Sequence, residues 1–144
     1  MLPTMWSQHI LKIRTRGRGT YNVTAEIDDG IAASGITTGL AHLFLQHTSA
    51  SLILCETADP DVRRDLEGFL SRLAPDGDPG YRHDQEGPDD MAAHLRSVLT
   101  SSSLTIPIAQ QRLALGTWQG IYLYEHRTQA HARSVVITLQ GSDD

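Results

Sequence analysis

Apolar and polar residues alternate along residues 7–15 and again along 21–27, the period-two pattern of half-buried strands, and residues 28–34 could add a helical turn. From Gly39 onward, Ala41, Leu43 and Leu45 alternate with His42, Phe44 and Gln46, and a second apolar run, Leu52 to Leu54, leads to Glu56. Residues 47–51 between these runs are polar, which predicts two buried strand pieces meeting at a polar corner. Asp59 offers an N-cap and Pro60 suits the first helical position, while Val62, Leu66, Phe69, Leu70 and Leu73 recur at helical spacing. A second helix is predicted from near Pro88, with Asp89 and Asp90 at its positive end, an apolar stripe of Met91, Leu95, Val98 and Leu99, and a stop at residues 101–103. Strands are predicted at residues 104–108, 119–126 and 133–139, with Gly116 and Gly120 marking tight backbone. Pro, Gly and Asp crowd together at residues 75–80, a loop that divides the chain without making two domains. Strands at both ends and two main helices in the middle predict an α+β fold, a single domain over residues 1–144.

A chain of 144 residues can bury a real core, and 40% hydrophobic with 20% charged residues is ordinary globular usage. No stretch approaches the apolar length of a membrane span, and residues 1–8 lack the order of a secretory signal, so a cytoplasmic location is expected. The single Cys55 cannot form an internal disulfide and reads as a small packed hydrophobe. The net charge of −5 argues against a nucleic-acid platform. Lys12, Arg14, Arg16 and Arg18 are the local exception; alternate spacing would set all four on the solvated face of one strand.

Three histidines carry the candidate chemistry. His47 sits in the polar corner Gln46-His47-Thr48-Ser49-Ala50-Ser51, where a hydrogen-bonded structural histidine and a ligand are both open readings, and where the hydroxyls could cap backbone or donate to a phosphate. His83 lies in the polar loop before the second helix and His94 within it. Asp90 and His94 are four apart on one helical face, so the carboxylate could receive one imidazole N–H and leave the other nitrogen for a metal or a proton. A surface helix pair explains that spacing equally well. Three histidines suit zinc or a similar divalent ion, yet their spacing matches no compact zinc signature, and one imidazole acting as acid or base needs no metal. Glu56 and Glu125 are candidate acid–base carboxylates; Glu125 shares a strand face with Ile121 and Leu123, where an unpaired carboxylate would be costly. Gln119, between flanking glycines, could present its amide to a ligand.

Taken together, His47-Thr48-Ser49-Ala50-Ser51, Glu56 with Ala58-Asp59-Pro60-Asp61-Val62, Glu86-Gly87-Pro88-Asp89-Asp90-Met91 through His94, and Leu115-Gly116-Thr117-Trp118-Gln119-Gly120-Ile121 resemble the YjbQ family of secondary thiamine-phosphate synthases. The resemblance implies a compact domain with a β-sandwich-like core, assembled as a homotrimer. It implies a divalent metal ion, such as zinc, at His47, His83 and His94, with Glu56, Asp90 and Glu125 as catalytic neighbours and Thr48, Ser49 and Gln119 as substrate-binding groups. The implied reaction joins hydroxymethylpyrimidine diphosphate to thiazole phosphate with release of diphosphate; the alternative is a non-catalytic protein that binds a phosphorylated metabolite or a metal ion. An acidic chain handling such a small phosphorylated substrate must supply positive charge locally, from the ion and from Arg82 or Arg112. Three positions depart from the family pattern: Cys55 stands where Asn is more usual, Gln110-Gln111 replaces a glycine turn, and His126 falls at a variable position that is left out of the site.

Overall fold

The structure is a computed structural model that describes residues 4–144. Eight strands and three helices follow one another as β1 (Met5–Arg14), β2 (Gly19–Asn22), α1 (Thr24–Ser34), β3 (Thr38–Leu45), β4 (Ala50–Glu56), α2 (Pro60–Leu73), α3 (Asp90–Leu99), β5 (Ser103–Ala109), β6 (Arg112–Leu113), β7 (Gln119–Glu125) and β8 (Ala132–Ser142). They form two antiparallel sheets, one of order β1-β8-β3-β5-β6 and one of order β2-β7-β4. The inward residues of both meet in one cluster: Ala41, Leu43 and Leu45 from β3, Val135, Ile137 and Leu139 from β8, Leu52 from β4, and Ile121 and Leu123 from β7. This is sheet-on-sheet packing of an α+β domain, with Ile27 and Ile31 of α1 sealing it.

The period-two pattern carries through where one face is buried. In β3 the alternation of Ala41, Leu43 and Leu45 with exposed Leu40, His42 and Phe44 holds residue by residue. The strand β7 behaves differently, because both its faces are covered and every residue from Gly120 to Glu125 is buried. One face meets the sandwich core; Tyr124 on the other reaches Glu67 of α2 with a 2.8 Å hydrogen bond, and the same carboxylate oxygen accepts from Arg96 of α3 at 2.8 Å. A fully buried arginine is tolerable there because its charge is neutralised on the spot.

Four differences from the sequence reading have physical causes. The alternation predicted over 21–27 stops at Asn22, and Thr24 opens a third helix, since Ile27 and Ile31 at i and i+4 bury one helical face against the core. A helix and a strand both fit so short an apolar run, and tertiary burial decides. The basic run does not share one strand face: β1 ends at Arg14, and Arg18 turns away to pair with Asp76 at 2.8 Å. The polar corner is shorter than expected, because β4 already begins at Ala50. Lastly, Gln110 and Gln111 both take positive φ, 54° and 62°, and close a two-residue hairpin between β5 and β6 in which Ala109 faces Arg112.

Helix α2 starts as its sequence predicts, with the Asp59 carboxylate accepting from the Asp61 N–H at 2.9 Å and Pro60 in the first turn. Helix α3 starts otherwise. Asp89 makes no side-chain cap bond, because its carboxylate is turned toward the strand-end segment after β7. Among the described residues, no helix is long and apolar enough to cross a membrane.

Candidate metal centre

His83, Asp90 and His94 converge: one ligand atom from each lies within 4.8 Å of the other two. The helical period brings Asp90 and His94 onto one face of α3, and the 81–87 loop folds back to set His83 beside them, its ring 5.3 Å from that of His94. Asp90 Oδ2 is the shared centre, 2.7 Å from His83 Nε2 and 3.1 Å from His94 Nε2. Its other oxygen meets Arg127 Nη1 at 3.0 Å. Burial alone would raise the Asp90 carboxyl above its ordinary range, but the His83 hydrogen bond and the charges of His94 and Arg127 outweigh it, and the group is held below that range. Asp90 is therefore an anion at neutral pH.

The protons at His94 define what the cluster can do. Its Nδ1 lies 3.0 Å from the Thr48 backbone oxygen, and a carbonyl can only accept, so Nδ1 carries a proton. In neutral imidazole this leaves a bare lone pair on Nε2, pointed at the Asp90 carboxylate. Two electron-rich atoms at that distance repel unless something positive lies between or upon them, either a second proton or a cation. A histidine that donates from one nitrogen to a backbone carbonyl and offers the other to a shared point is the usual arrangement of a metal ligand. Two imidazoles and a carboxylate with one side open to solvent suit zinc or another borderline divalent ion, with coordination positions left for water or substrate. The residues present fit the ion.

Behind this cluster stands a layer of fixed charge. Arg127 Nε donates to Asp89 Oδ2 at 2.9 Å and its Nη2 to the Glu86 backbone oxygen at 2.9 Å, and the Thr128 N–H also donates to Asp89 at 2.8 Å. Burial would raise Asp89, yet the Thr128 and Arg127 donors prevail and hold it at about 2. Arg127 thus ties both acids at the start of α3 to the end of β7. An open cleft of about 350 Å³ reaches His83 and is walled by Gly77, Asp78, Tyr81 and Gly87.

The other residues singled out from the sequence are placed elsewhere. His47 lies outside the cluster: its Nε2 accepts from the Ser134 N–H at 2.9 Å, and burial, then the Arg133 charge, lower its pKa and keep the ring neutral. Thr48 reaches the site through its backbone oxygen. Ser49 is buried and accepts from Arg133 Nη2 at its hydroxyl, 2.9 Å. Glu56 accepts from the Asp59 N–H at 2.8 Å and belongs to the start of α2. Gln119 closes its own turn, Oε1 accepting from the Gly116 N–H at 2.8 Å. Glu125 is wholly buried; it accepts from Arg133 Nε at 2.8 Å, from Arg133 Nη2 and from Thr15 Oγ1 at 2.8 Å. Desolvation would raise Glu125, but these donors keep it below its ordinary range. Arg82 immediately precedes His83 on the exposed loop, whereas Arg112 sits on the edge strand β6 of the other sheet.

Sequence reasoning missed Arg127, Asp89 as its partner, and Arg133. For Arg133 a signal existed: it shares the buried face of β8 with Val135, Ile137 and Leu139, just as Glu125 shares that of β7, and two opposite charges on two facing apolar surfaces predict a pair. Arg127 follows β7 in a loop and carries no such periodic mark.

Residues 9–142 match the family model described as UPF0047 protein YjbQ-like. The chain is 49% identical over 134 residues to a UPF0047 protein of Synechocystis, covering 93% of this chain and 91% of that one. It is 46% identical over 138 residues to the UPF0047 protein YjbQ of Escherichia coli O157:H7, covering 95% and 99%. Among solved structures, a conserved hypothetical protein of Thermus thermophilus superposes with a TM-score of 0.80 at 37% identity, over 89% of this chain and 97% of that one. A YjbQ/UPF0047 protein of Clostridium acetobutylicum does so with a TM-score of 0.80 at 32% identity, over 92% and 98%.

Proposed function

The chain belongs to the YjbQ (UPF0047) family, and we propose that it is a metal-assisted enzyme acting on phosphorylated substrates, with secondary thiamine-phosphate synthase activity. The observation that supports this reading most is the His94 ring, whose proton is held on Nδ1 by Thr48 while Nε2 is offered to the point shared by Asp90 and His83. A divalent ion bound by His83, Asp90 and His94 would supply positive charge to the oxygens of a diphosphate leaving group. In the reaction the thiazole nitrogen gives its lone pair to the methylene carbon of the pyrimidine, the C–O bond breaks, and diphosphate leaves with the electron pair. No proton need move in that step, so the burial of Glu125 and the engagement of Glu56 with the Asp59 N–H do not count against it. Arg127 holds the Asp90 carboxylate in place, and Arg82 stands on the loop beside the cleft, where a chain of net charge −5 must gather positive charge.

The test is elemental analysis of the purified protein together with an assay of thiamine phosphate formation, for the parent and for Asp90→Asn and His94→Ala. Bound metal and synthesis should fall together, at least tenfold, and chelation of the parent should abolish synthesis until zinc is restored. A metal-free parent that still makes thiamine phosphate refutes the metal-assisted reading. Metal binding without turnover would instead identify a non-catalytic binder.

A further inference from the structure

Asp90 and His94 are carried by α3, whereas His83 hangs in the loop between α2 and α3 with about half of its side chain exposed. Residues 75–88 are rich in Pro, Gly and Asp and mostly exposed, so the path of this loop is set where it is fastened. The fastenings lie at its two feet. The Gly77 N–H donates to the Pro88 oxygen at 2.8 Å and closes the loop on itself. Beside Gly77, the Asp76 carboxylate accepts two bonds from Arg18, Nη1 to Oδ2 at 2.8 Å and Nη2 to Oδ1 at 2.9 Å. The same guanidinium donates from Nε at 3.0 Å and from Nη2 at 2.8 Å to the His126 backbone oxygen, just past the end of β7. At the other foot Arg127, the next residue along, donates to the Glu86 oxygen at 2.9 Å. Both feet are thus held at residues 126–127, and Arg127 also grips Asp90.

We infer that Arg18 is a positioning residue for His83: it fixes the first foot of the loop to the segment that holds Asp90, so that the loop ligand and the helix ligands share one frame. An arginine suits the place because its planar fork has two edges. One edge meets the carboxylate and the adjacent edge meets the carbonyl, which a lysine could not do at once. The Arg18 side chain is 17% exposed, so this is not a loose pair on a solvated surface. Arg18 thereby leaves the basic run of β1 and takes a task of its own. With Asp76 released, the ordering of the loop would have to come from the ion itself, and affinity for the ion would fall. Gly77, Asp78 and Tyr81, which wall the cleft, hang from the same foot.

The effect on the ion rests on the metal centre proposed above, but the fastening of the loop does not, so the two can fail separately. In the metal-free full chain, amide exchange at Gly77 followed by NMR reads the fastening, and exchange at Gln111, whose N–H bonds to the Thr37 oxygen in the other sheet, reads general loosening. Competition with a chromophoric chelator reads Zn2+ affinity. Arg18→Met should speed exchange at Gly77 roughly tenfold, leave Gln111 as in the parent, and weaken Zn2+ roughly tenfold. Asp76→Asn, at an exposed position, should reproduce all three results and carries the test if Arg18→Met does not fold. Because coupling is reciprocal, saturating Zn2+ should slow Gly77 exchange again in both variants. Parental exchange at Gly77, equal acceleration at Gln111, or parental Zn2+ affinity in a variant with fast Gly77 exchange overturns the inference. A parent that binds no Zn2+, with Gly77 alone loosened in the variants, upholds the fastening and refutes the metal centre.

Discussion

Replacing His126 tests the buried polar side of the three-stranded sheet, because the pH dependence of stability there has one dominant source. His126 is fully buried, its ring 4.6 Å from that of Tyr124 and its Nε2 2.8 Å from Ser51 Oγ. The proton order is fixed by chemistry: Thr100 Oγ1 donates to the Arg96 oxygen and accepts from Ser51, which leaves Ser51 to accept from His126 Nε2–H. Nδ1 then holds a lone pair with no partner among the described residues. Burial first, then the Arg96 charge, opposes protonation; Glu125 acts the other way, Arg18 lowers and Glu67 raises by less, and the group is pushed down to about 3. In the unfolded chain the ring binds a proton below an ordinary value of about 6.5, whereas in the folded chain it stays neutral down to about 3. Across that window the unfolded state holds more protons, so the stability present above about pH 6.5 is lost as pH falls. At pH 4.5 the difference is about two pH units, or about 3 kcal/mol. His126→Gln keeps a donor for Ser51 and gives up ring packing, a loss of about 1–2 kcal/mol at pH 7. The gap between parent and variant, measured by urea unfolding from pH 7 to pH 4.5, should shrink and change sign between about pH 6 and pH 5. A gap that does not vary with pH would mean that the ring is not held neutral, and the reasoning would fail.

Two further outcomes follow from the same kind of accounting. Glu125→Gln leaves the Arg133 charge buried without its counter-ion and should cost about 3–5 kcal/mol in urea unfolding, while Glu125→Leu combined with Arg133→Met should recover most of that loss; a single variant as stable as the parent would show that the pair is not desolvated. Gln110→Asn with Gln111→Gly relieves two positive-φ positions in the β5–β6 hairpin and should raise stability by about 1 kcal/mol, read as a higher melting temperature; no gain would mean the turn can relax without cost.

The fold was legible where burial is one-sided. Alternation in β3 and the capping of α2 by Asp59 and Pro60 depend on neighbours close in sequence, whereas the stripe predicted for α3 does not face the core: Val98 and Leu99 are exposed, and the helix buries Asp90, Ala92, Ala93 and Arg96, whose charges find partners far along the chain. It was not legible at Thr24, where helix and strand patterns over four residues coincide and the choice is made by packing of Ile27 and Ile31 on strands far along the chain. The site divides the same way. Asp90 and His94 are joined by a helical period and could be paired by inspection. His83 reaches them only through the path of a loop, and His47 looks like a ligand until the partner of its Nε2, a backbone N–H some 87 residues away, is known.

That last distance bears on what the buried charges are for. A pair such as Glu125 and Arg133 adds little net stability compared with apolar residues of similar volume, since desolvation consumes most of the attraction. Its value must then lie in something an apolar pair could not supply, and the structure shows what that is: Arg133 Nη2 also reaches both the backbone and the hydroxyl of Ser49. A leucine and methionine in their place would fill the same space and leave the 46–49 turn without its C-terminal side-chain tie. The doubly apolar protein should accordingly be nearly as stable as the parent yet bind Zn2+ more weakly, because the turn that carries the Thr48 carbonyl has lost its tie, which separates the contribution of the pair to folding from its contribution to the site.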